Sequence, residues 1–146
     1  MKKQDLLKIL ADIFVPLGFK KKGDYFVKND KSINIMIHLQ KSQFSERVYL
    51  NYGYIINSLP LDGLKMHVFN RLSSLDALEN EKIMRILDLE NGLNDAEREF
   101  ELRNVICDNL VPKIQSINSE EDIFNDLKKR FTLNDIPLIV KEHFGL

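Results

Sequence analysis

The stretch INIMIHLQKSQFSERVYLNYGYII (residues 33–56) decides the fold that the sequence predicts. Apolar side chains alternate with polar or small ones in residues 33–40 and again, with more tyrosine, in residues 48–56. Successive side chains of a β-strand point to opposite faces, so each segment predicts a strand with one buried face. The link between them is short and polar, which favours an antiparallel pair. The expected inward positions are Ile33, Ile35, Ile37, Leu39, Val48, Leu50, Tyr52, Tyr54 and Ile56.

On the N-terminal side of this pair, the sequence predicts a helix and one more strand. Apolar residues follow 3-4 spacing and form a single helical stripe: Leu6, Leu10, Ile13, Phe14 and Leu17. Pro16 disfavours helical geometry at the residue before it, and Gly18 can adopt a left-handed cap conformation, so the helix should end there. A short strand over residues 24–28 should then turn back at residues 29–31.

On the C-terminal side, the pattern becomes helical after one more expected strand. Residues 64–75 fit a helix or a strand, and residues 82–89 predict a strand. Helix caps are expected at Asn94, Ser119 and Asn134, with a kink or break at Pro112. The expected buried stripe of the first of these helices is Ala96, Phe100, Cys107, Leu110, Val111, Ile114 and Ile117. The fold class is therefore α+β: an N-terminal helix, an antiparallel sheet of four to five strands, and C-terminal helices packed on one face.

Length and composition predict one soluble domain over residues 1–146. The 146 residues are 44% hydrophobic and 29% charged, which is typical of a globular chain. A single cysteine excludes an internal disulfide, and no secretory core or long apolar span is present, so a cytoplasmic location is expected. The net charge of −1 hides an asymmetry, because residues 1–73 carry 12 basic and 6 acidic side chains and residues 74–146 carry 9 and 16. Such polarity is typical either of a binding face or of ordinary solvated surface.

No motif in the sequence indicates a reaction or a cofactor. His38, His67 and His143 are far apart and lack metal-ligand spacing, and no phosphate-binding loop can be drawn. Cys107 lies on an apolar stripe, which indicates a buried side chain more than a nucleophile. The carboxylates are expected to form solvated helix faces. We therefore predict no catalytic residue, no cofactor and no metal.

Two patches remain as candidate binding sites. His38, Gln40, Tyr49 and Asn51 should share the outward face of the two central strands, where tyrosine and amide side chains suit recognition. Lys20, Lys21 and Lys22, followed by strand aromatics, form the best candidate for nucleic acid. The sequence pI of about 6.3 argues against that partner.

Three segments of the chain resemble a known family. They are LGFKKKG (residues 17–23), LQKSQF leading to LNYG (residues 39–53), and HVFNRL (residues 67–72). Their order and spacing are similar to those of a bacterial family of unknown function, numbered forty-three zero four, over roughly residues 3–118. The resemblance implies a small bacterial cytosolic protein with an α+β core. It implies no catalytic residues.

The favoured interpretation is a non-enzymatic protein-binding module, with an immunity protein that neutralises a bacterial toxin as its specific form. Acids on rigid helices would suit a basic partner, and the candidate contacts are Glu97, Glu101, Glu120, Glu121 and Asp122. The first alternative is a nucleic-acid-associated protein that uses the three lysines. The second is an uncharacterised enzyme with a site around His38, His67 and Arg71.

Overall fold

A five-stranded antiparallel sheet forms the centre of the molecule. The computed structural model describes residues 1–146. The strands follow one another in the order of the sequence: β1 (Lys20–Lys22), β2 (Tyr25–Asn29), β3 (Ile33–Lys41), β4 (Val48–Ile56) and β5 (Val68–Arg71). Each strand pairs with the next one along the chain, so every connection is local. The predicted α+β class and the antiparallel sheet are confirmed.

The β3–β4 pair is the longest in the sheet, and its side chains alternate between the two faces as predicted. Ile33 lies opposite Ile56 at one end, and Lys41 opposite Val48 at the other. The connecting segment is closed by the Ser42 amide, which donates to the Arg47 carbonyl oxygen at 2.8 Å. All nine expected inward side chains are buried. Local alternation therefore placed the central strands correctly.

The N-terminal helix α1 (Lys3–Phe14) ends as the sequence predicts. A single 3₁₀ turn at Val15–Leu17 follows it, with Pro16 in its first positions. Gly18 then adopts a left-handed conformation with φ of 97°, which a residue without a Cβ tolerates. The buried side of α1 packs on the sheet through Leu6, Leu10 and Phe14.

The segment between β4 and the C-terminal helices differs from the prediction. Residues 64–75, which fit either structure, contain the short strand β5. The strand predicted over residues 82–89 is wrong, because this segment belongs to helix α2 (Ala77–Leu87), which Asp76 caps by accepting from the Glu79 amide at 3.0 Å. Ile83, Ile86 and Leu87 are buried at helical spacing. A short apolar run fits both the 3.6-residue repeat of a helix and the two-residue repeat of a strand. Here the Asp76 cap and the packing of the buried side chains select the helix.

The C-terminal helices form one layer on the covered face of the sheet. They are α3 (Asp95–Val105), α4 (Val111–Gln115), α5 (Glu120–Lys128) and α6 (Leu138–Phe144). The caps predicted at Asn94 and Ser119 are confirmed, since both side chains accept from backbone amides of the first turn. The cap predicted at Asn134 is wrong: α6 begins after Pro137, whose fixed φ suits a helix start.

A π-helical turn at Ile106–Leu110 connects α3 to α4 and changes which side chains are buried. The chain stays helical through Pro112, which directly follows the π-helical turn and lies in the first turn of α4, so the helix does not break at this proline. Ala96, Phe100 and Cys107, expected in the buried stripe, are exposed, while Leu102, Val105 and Ile106 are buried. The wide turn rotates the helix surface relative to a regular 3.6-residue repeat, so the stripe drawn from that repeat fails.

One core of 31 buried apolar side chains joins the inward face of the sheet to the helices. It includes Leu6 of α1, Ile37 of β3, Ile86 of α2 and Ile123 of α5. The opposite face of the sheet contributes no side chain to this core. None of the helices has the length and apolar content needed to cross a membrane.

Candidate binding face

The sheet face that points away from the helices carries a row of polar and aromatic side chains across its strands. The register places Lys22, Tyr25, His38, Asn51 and Arg71 side by side on β1 to β5. Gln40 and Tyr49 lie opposite each other two residues further along β3 and β4. On the other side of the row lie Lys20, Val27, Met36, Gly53 and Phe69. We call this set of residues the open face.

Arg71 is held in place on the open face by two amides and an aromatic ring. Its Nε–H donates to Asn51 Oδ1 at 2.9 Å, and its Nη2 donates to Gln40 Oε1 at 3.1 Å. Asn51 Nδ2 also donates to Gln40 Oε1, at 2.8 Å, so the fully buried Asn51 side chain is satisfied on both atoms. The guanidinium carbon lies 4.1 Å from the centre of the Tyr49 ring. This cation–π contact and the amides fix the orientation of the guanidinium group.

The free side of the Arg71 guanidinium can bind a carboxylate. Arginine has five N–H donors in a planar fork. Nε and Nη2, on one side of the fork, donate to the side-chain amide oxygens of Asn51 and Gln40. Nη1 and the second N–H of Nη2 make no hydrogen bond within the protein, and Arg71 has no acidic partner. A two-point contact with a carboxylate is the strongest use of such a fork. The geometry therefore provides an acid-binding group on an exposed and preorganised side chain.

Three lysines add unpaired positive charge at the edge of the open face opposite Arg71. Lys20, Lys22 and Lys65 make no ion pair, and Lys65 lies beside Lys22 and Tyr25. Two acids in the segments that flank these strands are engaged: Asp24 binds Lys3 at 2.6 Å, and Glu46 binds Lys41 at 3.1 Å. The open face is consequently cationic, which favours the approach of an acidic surface.

Most aromatic rings of the open face are already stacked. Tyr25 and His38 lie parallel with their ring centres 4.1 Å apart, and Tyr49 is covered by Arg71. Phe69 is the one ring with a large free surface, 45% exposed. Base stacking requires free ring faces, of which this arrangement offers few. It is therefore less suited to single-stranded nucleic acid than to a partner that binds through hydrogen bonds and charge.

The chain was compared with families and known proteins. A family model described as "Domain of unknown function (DUF4304)" matches residues 10–116. The chain belongs to this family. Neither the curated proteins nor the solved structures contain a match to the chain.

The DUF4304 match contains the whole open face, from Lys20 to Arg71, together with helices α2 and α3. Helices α5 and α6 follow the matched segment. The resemblance inferred over residues 3–118 is confirmed, and it agrees with the match to within seven residues at either end. The open face is thus part of the family's own domain.

The candidate recognition patch predicted on the central strands is brought together by the structure. His38, Gln40, Tyr49 and Asn51 lie on the open face, and the last three contact one another or Arg71. Sequence reasoning missed Arg71 as a member of this patch, because the register of β5 depends on the path of residues 57–67. Tyr25 was also missed, although the short turn after β2 would have placed it opposite His38.

The lysine triplet lies in strand β1, and its members point in different directions. Lys20 and Lys22 lie on the open face, whereas Lys21 is paired with Phe26, which faces the core. Strand alternation therefore divides the charge that the sequence places together.

The two other histidines have structural contacts. His67 is fully buried, its Nδ1 accepts from the Ile56 amide at 2.9 Å, and its Nε2 donates to the Pro60 carbonyl oxygen at 2.9 Å. With both ring nitrogens engaged, His67 holds the loop after β4 and has no free nitrogen for proton transfer. His143 Nε2 contacts Glu120 Oε1 at 2.6 Å.

The acidic residues proposed as partner contacts lie on α3 and α5, away from the open face. Glu101 binds Lys82 at 2.9 Å, Glu120 binds His143, and Asp122 accepts from the Asn118 amide at 2.8 Å. Glu97 and Glu121 are exposed and have no ionic partner. Only these two of the five acids remain free for an external contact.

A polar pocket of about 190 Å³ lies on the covered side of the sheet, between Tyr52 and Tyr54 on β4 and Arg130 at the end of α5. Burial, together with the Asp126 carboxylate, raises the pKa of both phenols above the ordinary value. Both therefore stay protonated at neutral pH, where they can donate hydrogen bonds but cannot act as bases. Arg130 is engaged by Asn70 at 2.7 Å and by Asp126 at 3.4 Å. Asp126, the carboxylate that lines this pocket, is therefore paired with Arg130.

His38 is expected to be neutral at pH 7. Partial burial, and then the ammonium group of Lys65, lower the pKa of His38 below the ordinary 6.5, although Asp24 opposes the shift. The unfolded chain therefore takes up this proton at a higher pH than the folded one. The contribution of His38 to stability is present above pH 6.5 and is lost as the pH falls through the folded pKa.

We expect a Lys65→Gln variant to raise the pKa of His38, as measured by the NMR titration of its Cε1 proton. The value should remain below 6.5, because burial is the larger cause of the shift. Lys41→Gln is the matched control, since Lys41 pairs with Glu46 and should leave the titration unchanged. An identical titration in the Lys65 variant would contradict this electrostatic assignment.

Proposed function

We propose that this DUF4304 chain is a non-enzymatic protein-binding module that uses its open face to bind an acidic segment of a partner. The supporting observation is Arg71, which is held by Asn51, Gln40 and Tyr49 with one end of its guanidinium free. An arginine without an acidic partner in its own chain is suited to an acid from another molecule. Arginine and tyrosine are also the side chains most often found at the energetic centres of interfaces.

The preorganisation of Arg71 supports tight binding. A free arginine loses side-chain entropy when it forms a contact, and this loss opposes binding. In this protein, two hydrogen bonds and a stacking contact already restrict the side chain. Lys20, Lys22 and Lys65, at the β1 edge of the open face, would mainly raise the rate of association with an acidic partner. The open face thus combines a directional contact with a long-range attraction.

An immunity protein that neutralises a toxin is one specific form of this function. If the partner were a basic enzyme, the acids on α3 and α5 would bind it, whereas an acidic partner would bind the open face. The free acids Glu97 and Glu121 and the free cation Arg71 lie on different surfaces. Variants at the two surfaces therefore distinguish the two modes of binding. Our proposal places the partner on the open face.

The proposal predicts that Arg71→Glu abolishes capture of a protein partner from a lysate of the source organism. The tagged wild type should retain one stoichiometric protein, identified by mass spectrometry. A Glu97→Lys/Glu121→Lys double variant is the matched charge-reversal control and should retain the same protein. Circular dichroism would verify that each variant is folded. Arg71→Gln, which removes the charge with little change in size, should weaken capture at low salt.

Two results would contradict the proposal. One is capture that survives Arg71→Glu and is lost in the helix double variant, which would place the partner on the acidic helices. The other is a retained fraction that nuclease treatment removes and that falls steeply with salt, which is typical of nucleic acid bound by phosphate contacts. In that case Lys20 and Lys22 would become the residues to substitute first.

A further inference from the structure

An apolar groove lies directly beside Arg71, where strand β5 ends. It encloses about 270 Å³ between β4 and helix α2. Its walls are apolar side chains from the sheet and from the helix: Val48, Leu50, Leu72, Ile83, Met84 and Leu87. The β4–β5 ladder ends at Asn51 and Arg71, and the Leu72 amide adds one more bond to the Leu50 carbonyl oxygen at 2.8 Å. The first residues of β4 lie beside α2. The groove exists because β5 is short.

The rim of the groove is cationic. Arg47 and Arg71 stand at its opening together with Tyr49, the ring that Arg71 covers. Arg47 binds Asp88 at 3.4 Å and is largely neutralised, whereas Arg71 has no acid. Tyr49 and Arg71 belong both to the groove and to the open face, so the two surfaces are continuous. Met84 leaves 47% of its surface exposed at the groove wall.

We propose that this groove binds an apolar side chain of the partner protein that stands next to a carboxylate in the partner's sequence. The inference rests on the proposed function, because it names the segment that would occupy the open face at Arg71. The carboxylate would bind the Nη1–Nη2 end of Arg71, and the neighbouring side chain would fill the space between Leu50 and Met84. An apolar pocket with one directional polar contact at its mouth is the usual form of such an anchor site.

The shape of the groove favours a segment of a protein over a free small acid. Sites for small ligands bury most of the ligand surface. Here the groove shares Tyr49 and Arg71 with the open face, so a chain whose side chain fills the groove can continue along that face. The unpaired Lys22 and Lys65 lie further along the same face and would continue the contact with an acidic segment.

The test is an NMR titration of the ¹³C-methyl-labelled full chain with the peptide acetyl-Gly-Asp-Phe-Gly-amide. We expect the Met84 methyl resonance to shift, with saturable binding. Two control peptides each remove one element of the motif, with Asn in place of Asp or Ala in place of Phe. Each should bind about tenfold more weakly, because each loses one charged hydrogen-bonding contact or one buried ring.

Two matched variants locate the binding site. Met84→Gln should weaken binding of the Asp-Phe peptide, while Leu78→Gln, which replaces an exposed apolar residue of α2 outside both the groove and the open face, should not. Arg71→Gln should remove the difference in affinity between the Asp and the Asn peptides. Equal binding of these two peptides by the wild type, or no shift of Met84, would overturn the inference.

A third arm uses 3-phenylpropionate as a free acid. Binding of this acid in the groove together with no binding of the peptide would overturn the assignment to a protein segment. A peptide that does not bind can also be distinguished from an open face that does not bind the partner. If the peptide does not bind but Arg71→Glu still abolishes capture of a partner, then the open face is the binding site and the groove is not its anchor.

Discussion

Replacement of Arg98 by methionine is expected to lower the free energy of unfolding by about 3 kcal/mol, because buried carbonyl oxygens lose their donor. Arg98 is 2% exposed and extends from α3 to the end of α2. Its Nη1 donates to the carbonyl oxygens of Arg85, Ile86 and Asp88, and its Nη2 donates to Asn91 Oδ1 at 2.6 Å. The last carbonyl oxygens of a helix have no hydrogen-bond donor within the helix. Arg98, on α3, supplies the donors for the C-terminal end of α2.

Burial of the Arg98 guanidinium is itself unfavourable, and it lowers the pKa of this group below the ordinary value. The hydrogen bonds of Nη1 and Nη2 offset this cost, while the buried Nε makes none. Methionine fills similar space without any donor, and the carbonyl oxygens would remain buried and unpaired. The loss should therefore exceed that of an ordinary surface substitution several-fold.

Urea denaturation of the Arg98→Met variant measures this effect. Arg85→Met is the matched control, because Arg85 is an exposed arginine of α2 whose side chain makes no hydrogen bond, and its loss should change stability by less than about 0.5 kcal/mol. Equal stabilities of the two variants would show that water satisfies the end of α2 without Arg98.

Replacement of Gly53 by alanine is expected to cost at least about 2 kcal/mol and to detach β5 from the sheet. A Cβ at this position would lie 1.9 Å from the Val68 carbonyl oxygen and 2.5 Å from Met66 Sδ. Methionine could move aside, but the carbonyl belongs to the backbone of β5. Only a glycine permits this close approach of the two strands.

Because β5 carries Arg71, the Gly53→Ala substitution should also impair partner capture without touching the binding residues themselves. Hydrogen exchange at the amides of Val68 to Leu72 measures the detachment, and urea denaturation measures the stability. Gly92→Ala is the control, since a Cβ there would meet no atom within 4 Å. Normal protection of the β5 amides in Gly53→Ala would contradict the expected clash.

Local patterns in the sequence were sufficient wherever one structure alone fitted them. The alternation in residues 48–56 gave the bounds of β4, and the segment Pro16–Gly18 gave the end of the first helix. The same reasoning failed for residues 82–89, because a short apolar run fits a helix and a strand equally well. It also failed for Phe100 and Cys107, because the π-helical turn departs from the regular repeat.

The sequence by itself determined the α+β class, the central strand pair and the shared face of His38, Gln40, Tyr49 and Asn51. These features depend on contacts between residues close in the chain, where side-chain period and turn length decide the geometry. Only the tertiary structure decided that Arg71 lies on Asn51, that the groove opens beside it, and that Arg98 caps α2. Each of these depends on how a loop places a later element against an earlier one. Local periodicity contains no information about that placement, because the packing of the whole core determines where the later element lies.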